Sequence, residues 1–150
     1  MAESVQVAIP EILSAALRAL ERANAGRRLR VIRQIDPTTP EVAVDPETLR
    51  QVVDTLLAEA AAATEEGGRV RVCLKHSRGT VMISVKDQGE GMREGEFEAK
   101  LEDPAREAVA GAPLTLAGCR KAVVSMRGNL FANAEPRRGS TYYVVLPVPV

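Results

Sequence analysis

Asp87-Gln88-Gly89-Glu90-Gly91 follows the alternating strand Val81-Met82-Ile83-Ser84-Val85, which sets one carboxylate at a strand end with two glycines just beyond it. Glycine lets backbone approach a flat ligand closely, and functional groups concentrate on loops held by rigid elements. A D-x-G-x-G turn of this kind is suited to holding a small molecule. The competing account is structural: an aspartate that ends a strand before a tight glycine turn. Other reactive side chains lack companions. His76, the single histidine, falls in an expected hairpin turn with no neighbouring acid on a helix, which makes it a surface residue and leaves no Ser-His-Asp set. Cys73 and Cys119 lie in apolar segments without metal-ligand or C-x-x-C spacing and read as small buried hydrophobes of a reducing compartment. The acidic pairs Glu65-Glu66 and Glu102-Asp103 sit beside turns, where solvated faces are the default.

The chain that must position this turn has 150 residues, 45% of them hydrophobic, enough for one domain with an ordinary core over residues 1–150. Twenty basic and twenty acidic residues cancel, so net charge points to neither a nucleic-acid footprint nor a polybasic membrane patch. No apolar run approaches the roughly 20 residues that span a bilayer, and the acidic N-terminus lacks the regions of a signal peptide. The expectation is a cytoplasmic domain with no membrane contact and no nucleic-acid partner.

Periodicity supplies the elements. Val5 to Val7 reads as a short strand, and Pro10 opens a helix through Ile12, Leu13, Ala16, Leu17 and Leu20 that Gly26 ends. Arg28 to Ile35 and Val42 to Val44 read as strands around a Pro37 to Pro40 turn. Asp45-Pro46 caps a second helix carrying Leu49, Val52, Val53, Leu56, Leu57 and Ala60, stopped by Gly67-Gly68. Strands Arg69 to Lys75 and Thr80 to Lys86 flank the His76 to Gly79 turn. Met92 to Ala110 is charged and weakly periodic; a third helix is expected from about Pro113 to Arg127, then strands Asn129 to Ala134 and Thr141 to Leu146 around Pro136 to Ser140. The order predicts an α+β two-layer sandwich, with a mixed, mostly antiparallel sheet of about five to seven strands and three main helices on one face.

On these motifs the chain resembles the ATP-binding catalytic domain of sensor histidine kinases, within the superfamily that also holds the type II topoisomerase, Hsp90 and MutL ATPases. Asp45-Pro46-Glu47-Thr48-Leu49-Arg50-Gln51-Val52-Val53 is similar to the entry into the family's N-box helix, and Gly67-Gly68-Arg69-Val70-Arg71-Val72 to its exit. Asp87-x-Gly89-x-Gly91 matches the first glycine box. Leu116 to Lys121 and Arg127 to Leu130 resemble the helix and turn after the second, and Gly139-Ser140-Thr141-Tyr142 the closing glycine-serine-threonine-aromatic motif. The resemblance covers nearly the whole chain. It implies a Bergerat fold, with ATP and Mg²⁺ as cofactors. It also implies that Asp87 accepts from the adenine amine, that Gly89, Gly91 and Gly139 shape the site, and that Thr141 assists through water. A carboxylate accepts from that amine, whereas guanine presents a carbonyl there and is repelled.

The phosphate end departs from the family. The resemblance puts Glu59 where an asparagine normally ligates Mg²⁺, so Glu59 is the candidate metal ligand and catalytic group; helical spacing sets it beside Val52 on the margin of the apolar stripe. An exposed helix glutamate without a ligand is the other reading. Ala62 replaces a basic residue, and Thr55 stands where topoisomerases and Hsp90 carry a water-activating glutamate. The second glycine box reads Gly111-Ala112-Pro113-Leu114-Thr115-Leu116, leaving Gly111, Thr115 and Leu116 as candidate phosphate contacts at a helix N-terminus. About twenty residues separate the boxes, too few for a long lid, with Arg93, Lys100 and Arg106 as weaker candidate cations there and Lys121, on the expected third helix, as another of the same grade. The implied activity is transfer of the ATP γ-phosphate to a histidine on a dimerisation domain outside this segment, with a response regulator as indirect partner and slow hydrolysis as a side reaction. The alternative is a degenerate interaction module, or a phosphotransferase subdomain, that binds nucleotide weakly or not at all.

Overall fold

A computed structural model describes residues 4–103, 105–134 and 137–149. Pro136 of the expected last turn lies outside the described residues. Strands β1 (Val5–Val7) and β3 (Val42–Val44) pair antiparallel as a two-stranded sheet. The main sheet has the order β2 (Arg30–Ile35), β4 (Arg69–Ser77), β5 (Thr80–Lys86), β7 (Ser140–Pro147), β6 (Asn129–Ala134). Among the described residues only the β2–β4 pairing is parallel. The α+β two-layer expectation holds, including a mixed and mostly antiparallel sheet.

Strand alternation decides which layer each side chain enters. Val70, Val72 and Leu74 of β4, Val81, Ile83 and Val85 of β5, and Tyr142, Val144 and Leu146 of β7 are all buried on one face. Against it lie α1 (Ile9–Ala23), α2 (Pro46–Ala63) and α4 (Leu116–Ser125). Helix α2 starts as its sequence indicates: the Asp45 carboxylate accepts from the Thr48 amide at 3.0 Å, and Pro46 occupies the first turn, where no amide partner is needed. All six apolar positions expected on its inner stripe are buried.

Several boundaries move for local reasons. Helix α1 ends at Ala23, where Asn24 turns back on the Leu20 carbonyl at 2.9 Å, and a 3-10 turn over Ala25–Arg27 follows. The β4–β5 hairpin needs only Arg78 and Gly79, both at positive φ, so His76 belongs to β4, opposite Val81. It is a surface residue as expected, 3.3 Å from Asp36. Cys119 is buried, whereas Cys73 is only half-buried. The charged stretch after the Asp87 turn contains a fourth, short helix, α3 (Glu96–Glu102), which buries Phe97 and Leu101 one turn apart. Phe97 packs on Tyr142 with ring centroids 5.6 Å apart, so two apolar residues suffice to dock this helix on the sheet.

Candidate functional site

Asp87 continues the inward-facing series Val81, Ile83, Val85 one residue past the end of β5, and is 1% exposed. Its Oδ1 accepts from the Gly89 amide at 2.9 Å and the Ser140 amide at 3.0 Å. Its Oδ2 is buried and, among the described residues, has no hydrogen-bond partner. Burial pushes the Asp87 carboxyl above its ordinary value, aided by the negative charge of Glu59 and opposed by the Gly89 and Ser140 amides. An acceptor stripped of water and left unpaired is costly, so Oδ2 is free to accept from a donor that enters the cleft.

Two glycines hold this carboxylate by close contact. A Cβ on Gly89 would stand 2.6 Å from the Ala63 carbonyl, so the turn packs directly on the end of α2. At Gly139, with φ +80°, a Cβ would stand 2.2 Å from the Asp87 carbonyl oxygen. The spacing of both glycines thus fixes the approach of β5 to α2 and β7. Gly91 also has positive φ and lines the cleft.

The cleft beside Asp87 has a volume of about 450 Å³, a size suited to a small-molecule ligand. Its walls include Glu59 from α2, Met92 after the turn, Lys100 from α3, Arg106 from the following loop, and Ser140 and Tyr142 from β7. Thr141 corrects an expectation. It pairs with Lys86 in the register of β5 and β7, so alternation turns it to the face opposite Asp87. Ser140, its neighbour, is buried on the Asp87 side. Counting inward from Val144 and Tyr142 in twos would have found Ser140, and the Tyr142 ring at the cleft wall was legible by the same count.

Glu59 is not an exposed helix residue. It is 7% exposed, and its two carboxylate oxygens accept from Arg106, Nη1 to Oε1 at 2.9 Å and Nη2 to Oε2 at 3.4 Å. The loop arginine, expected as a weak lid cation, is therefore the main partner of the expected metal ligand. Among the described residues no three His, Cys, Asp or Glu side chains come together to hold a metal. With its one carboxylate engaged on both oxygens, this donor set does not fit a protein-held Mg²⁺.

The second glycine box folds as a capped helix start. Thr115 is the N-cap of α4, its Oγ1 accepting from the Gly118 amide at 3.0 Å. The Leu116 side chain is 1% exposed and belongs to the core, so only its amide could face an anion. Gly111, at positive φ, lines a separate groove of about 510 Å³ between α1 and α2 and is not at the Asp87 cleft. Thr55, at the topoisomerase glutamate position, accepts from the Leu114 amide at 3.1 Å and donates to the Gln51 carbonyl at 2.8 Å. Its hydroxyl ties the loop to α2. Lys100 reaches the cleft while pairing with Glu96 at 3.4 Å; Arg93 and Lys121 are exposed, and neither lines the Asp87 cleft.

Comparison with known proteins gives this geometry a setting. Residues 44–150 match the model of the histidine kinase-, DNA gyrase B-, and HSP90-like ATPase family. The chain is 29% identical over 150 residues to the adaptive-response sensory kinase SasA of Synechococcus sp. (strain JA-2-3B'a(2-13)), covering 97% of this chain and 40% of that protein. It is 30% identical over 143 residues to SasA of Prochlorococcus marinus (strain MIT 9303), covering 91% and 39%. The chain thus spans about two fifths of the length of these relatives. Among solved structures, it is similar to the mycobacterial sensor histidine kinase MprB, with TM-score 0.81, 25% identity and full coverage of both chains. The catalytic domain of the histidine kinase ThkA shares the fold, with TM-score 0.86 at 20% identity over 97% of this chain and 95% of that one.

Proposed function

We propose, for a chain that belongs to the histidine kinase-, DNA gyrase B-, and HSP90-like ATPase family, that the cleft at Asp87 binds the adenine of ATP and that the domain serves a two-component sensor kinase. The observation that carries the reading is the buried, unpartnered Oδ2 of Asp87 at the wall of a cleft of about 450 Å³. The exocyclic amine of adenine supplies the missing donor, while Oδ1 stays fixed by the Gly89 and Ser140 amides. A guanine carbonyl at the same place faces a carboxylate and gains nothing.

Phosphotransfer follows as the activity of the larger protein. A histidine nitrogen attacks the γ-phosphorus, the bond to the bridging oxygen breaks, and ADP leaves with that electron pair. His76, the one histidine present, sits on β4 beside Asp36 and does not line the cleft, so the acceptor belongs to a dimerisation domain outside these residues, with a response regulator downstream. Thr55 is committed to the Leu114 amide and offers no base, so strong ATPase activity of the topoisomerase type is not expected. Residues 1–150 act as one catalytic domain in the cytoplasm; among the described residues no helix is long and apolar enough to cross a membrane.

Calorimetric titration with ATP, ADP and GTP, with and without Mg²⁺, tests the reading. Adenine nucleotides bind and GTP does not; Asp87→Asn, which swaps an acceptor for a donor, lowers affinity for adenine at least about tenfold. No binding of any adenine nucleotide at millimolar concentration sinks it. A second reading, nucleotide binding without phosphotransfer, is favoured by the loop that Thr55 and Arg106 fasten to α2. Incubation with labelled ATP and a histidine-bearing dimerisation domain separates the two by whether label reaches the histidine.

A further inference from the structure

We infer that Arg106, held in position by Glu59, supplies the positive charge at the phosphate end of the cleft in place of a metal bound by the protein. The inference rests on the nucleotide reading above and concerns the part of the site where the chain departs from its family. Glu59 and Arg106 lie 47 residues apart, yet they meet in a two-pronged contact at 2.9 and 3.4 Å. The carboxylate is the inner partner, with 8% of its side chain exposed against 23% for the arginine, and both line the same cleft as Asp87. A ligand entering the cleft therefore meets the guanidinium before the carboxylate.

The chemistry of the pair suits anion binding. A guanidinium carries five N–H donors in a rigid fork; two are directed to Glu59 and the others remain for phosphate oxygens. Glu59 fixes the arginine and offsets its desolvation, as partly buried charges require. A divalent metal at Glu59 would first have to strip Arg106 from both oxygens, then share the site with the displaced cation. At a nucleotide site Mg²⁺ takes one or two carboxylates together with phosphate oxygens and waters, and the carboxylate expected for this, Glu59, is already engaged by Arg106 on both oxygens. Lys100, the other cation at the cleft, pairs with Glu96 and is more exposed, which makes it the weaker contributor. The loop bearing Arg106 is braced on both sides of the arginine. Ala105 donates to Asp103 Oδ1 at 2.9 Å just before it, and Leu114 is fastened to Thr55 beyond it. Glu59 and Arg106 thus act as one unit, in which Glu59 is a positioning residue.

The test compares adenosine, ADP and ATP binding to the whole chain, each in Mg²⁺ and in EDTA, for wild type, Glu59→Gln, Arg106→Gln and the double variant. Adenosine affinity is expected to be equal in all four. ADP and ATP affinity falls about tenfold in each single variant, the scale of one charge-assisted hydrogen bond, with no further loss in the double variant and the same loss in EDTA as in Mg²⁺. Arg106→Lys recovers ADP binding in part, and the unchanged adenosine affinity separates a phosphate contact from a purely structural one, whose loss would weaken adenosine as well. The inference is overturned if Glu59→Gln abolishes a Mg²⁺-dependent gain that Arg106→Gln leaves intact, because Glu59 is then a metal ligand. Additive losses in the double variant overturn it as well. Failure of adenosine to bind the wild type removes the nucleotide reading itself, an outcome distinct from either.

Discussion

At the residue scale, Asp87 and Ser140 meet at the part of the cleft where the proposed reading puts adenine, and they differ in how far the sequence revealed them. Asp87 was legible because a carboxylate after a clean alternating strand, followed by two glycines, leaves little freedom of interpretation. Ser140 was hidden by its neighbour. Both Ser140 and Thr141 are hydroxyl residues after a glycine, and only the pairing of Thr141 with Lys86, on the sheet face away from Asp87, decides between them. Register is a tertiary fact, and a shift of one residue reverses every side chain. The Glu59–Arg106 pair was hidden for a similar reason, since nothing local connects positions 47 residues apart. Ser140→Ala is expected to lower adenosine affinity several-fold, about 1 kcal/mol for a lost polar contact, while Thr141→Ala leaves it unchanged. Calorimetry on the two variants decides; the reverse order would restore Thr141 to the site.

The elements show where periodicity succeeds and where it fails. Helix α2 was readable at its start and along its length, because its six stripe residues and its Asp45 cap agree, but it ends at Ala63 with Thr64 as C-cap, ahead of the Gly67-Gly68 pair expected to stop it. Helix α3 was not, since seven residues with two buried side chains produce no recognisable period, and its docking comes from the Phe97–Tyr142 contact. The start of α4 was expected at Pro113 but falls after Thr115, whose hydroxyl is the cap. Between α3 and α4 the loop is held to α2 at two points, the Leu114 amide on Thr55 and Arg106 on Glu59. Thr55→Val keeps the side-chain shape but leaves the Leu114 amide without its acceptor, at a cost of about 1–3 kcal/mol. Lower stability in urea together with faster exchange of the Leu114 amide is the expected result. An unchanged exchange rate would mean that Thr55 does not fasten the loop.

For the whole molecule, the cleft exists only when α2, the β5 turn, the start of β7 and the loop after α3 converge, so folding must bring the Asp87 carboxylate out of water against its own preference. Sequence order disclosed the segments but not their energetic conflict. Burial and the nearby Glu59 charge raise the Asp87 pKa above its ordinary 3.8 in the folded chain. The folded state consequently holds the proton more tightly than the unfolded state does. For a raised carboxyl, stability is greatest below the ordinary value and falls as pH rises through the folded pKa, after which the cost is constant. Asp87→Asn removes the titration while its amide oxygen can still accept from Gly89 and Ser140. The variant is therefore expected to be more stable than wild type at neutral pH, with an advantage that shrinks as pH falls toward and below 3.8. Urea unfolding of both proteins across this range measures it. A variant less stable than wild type at neutral pH would mean that the Asp87 charge is satisfied within the fold, and the unpaired Oδ2 could no longer be counted as an acceptor kept open for the ligand.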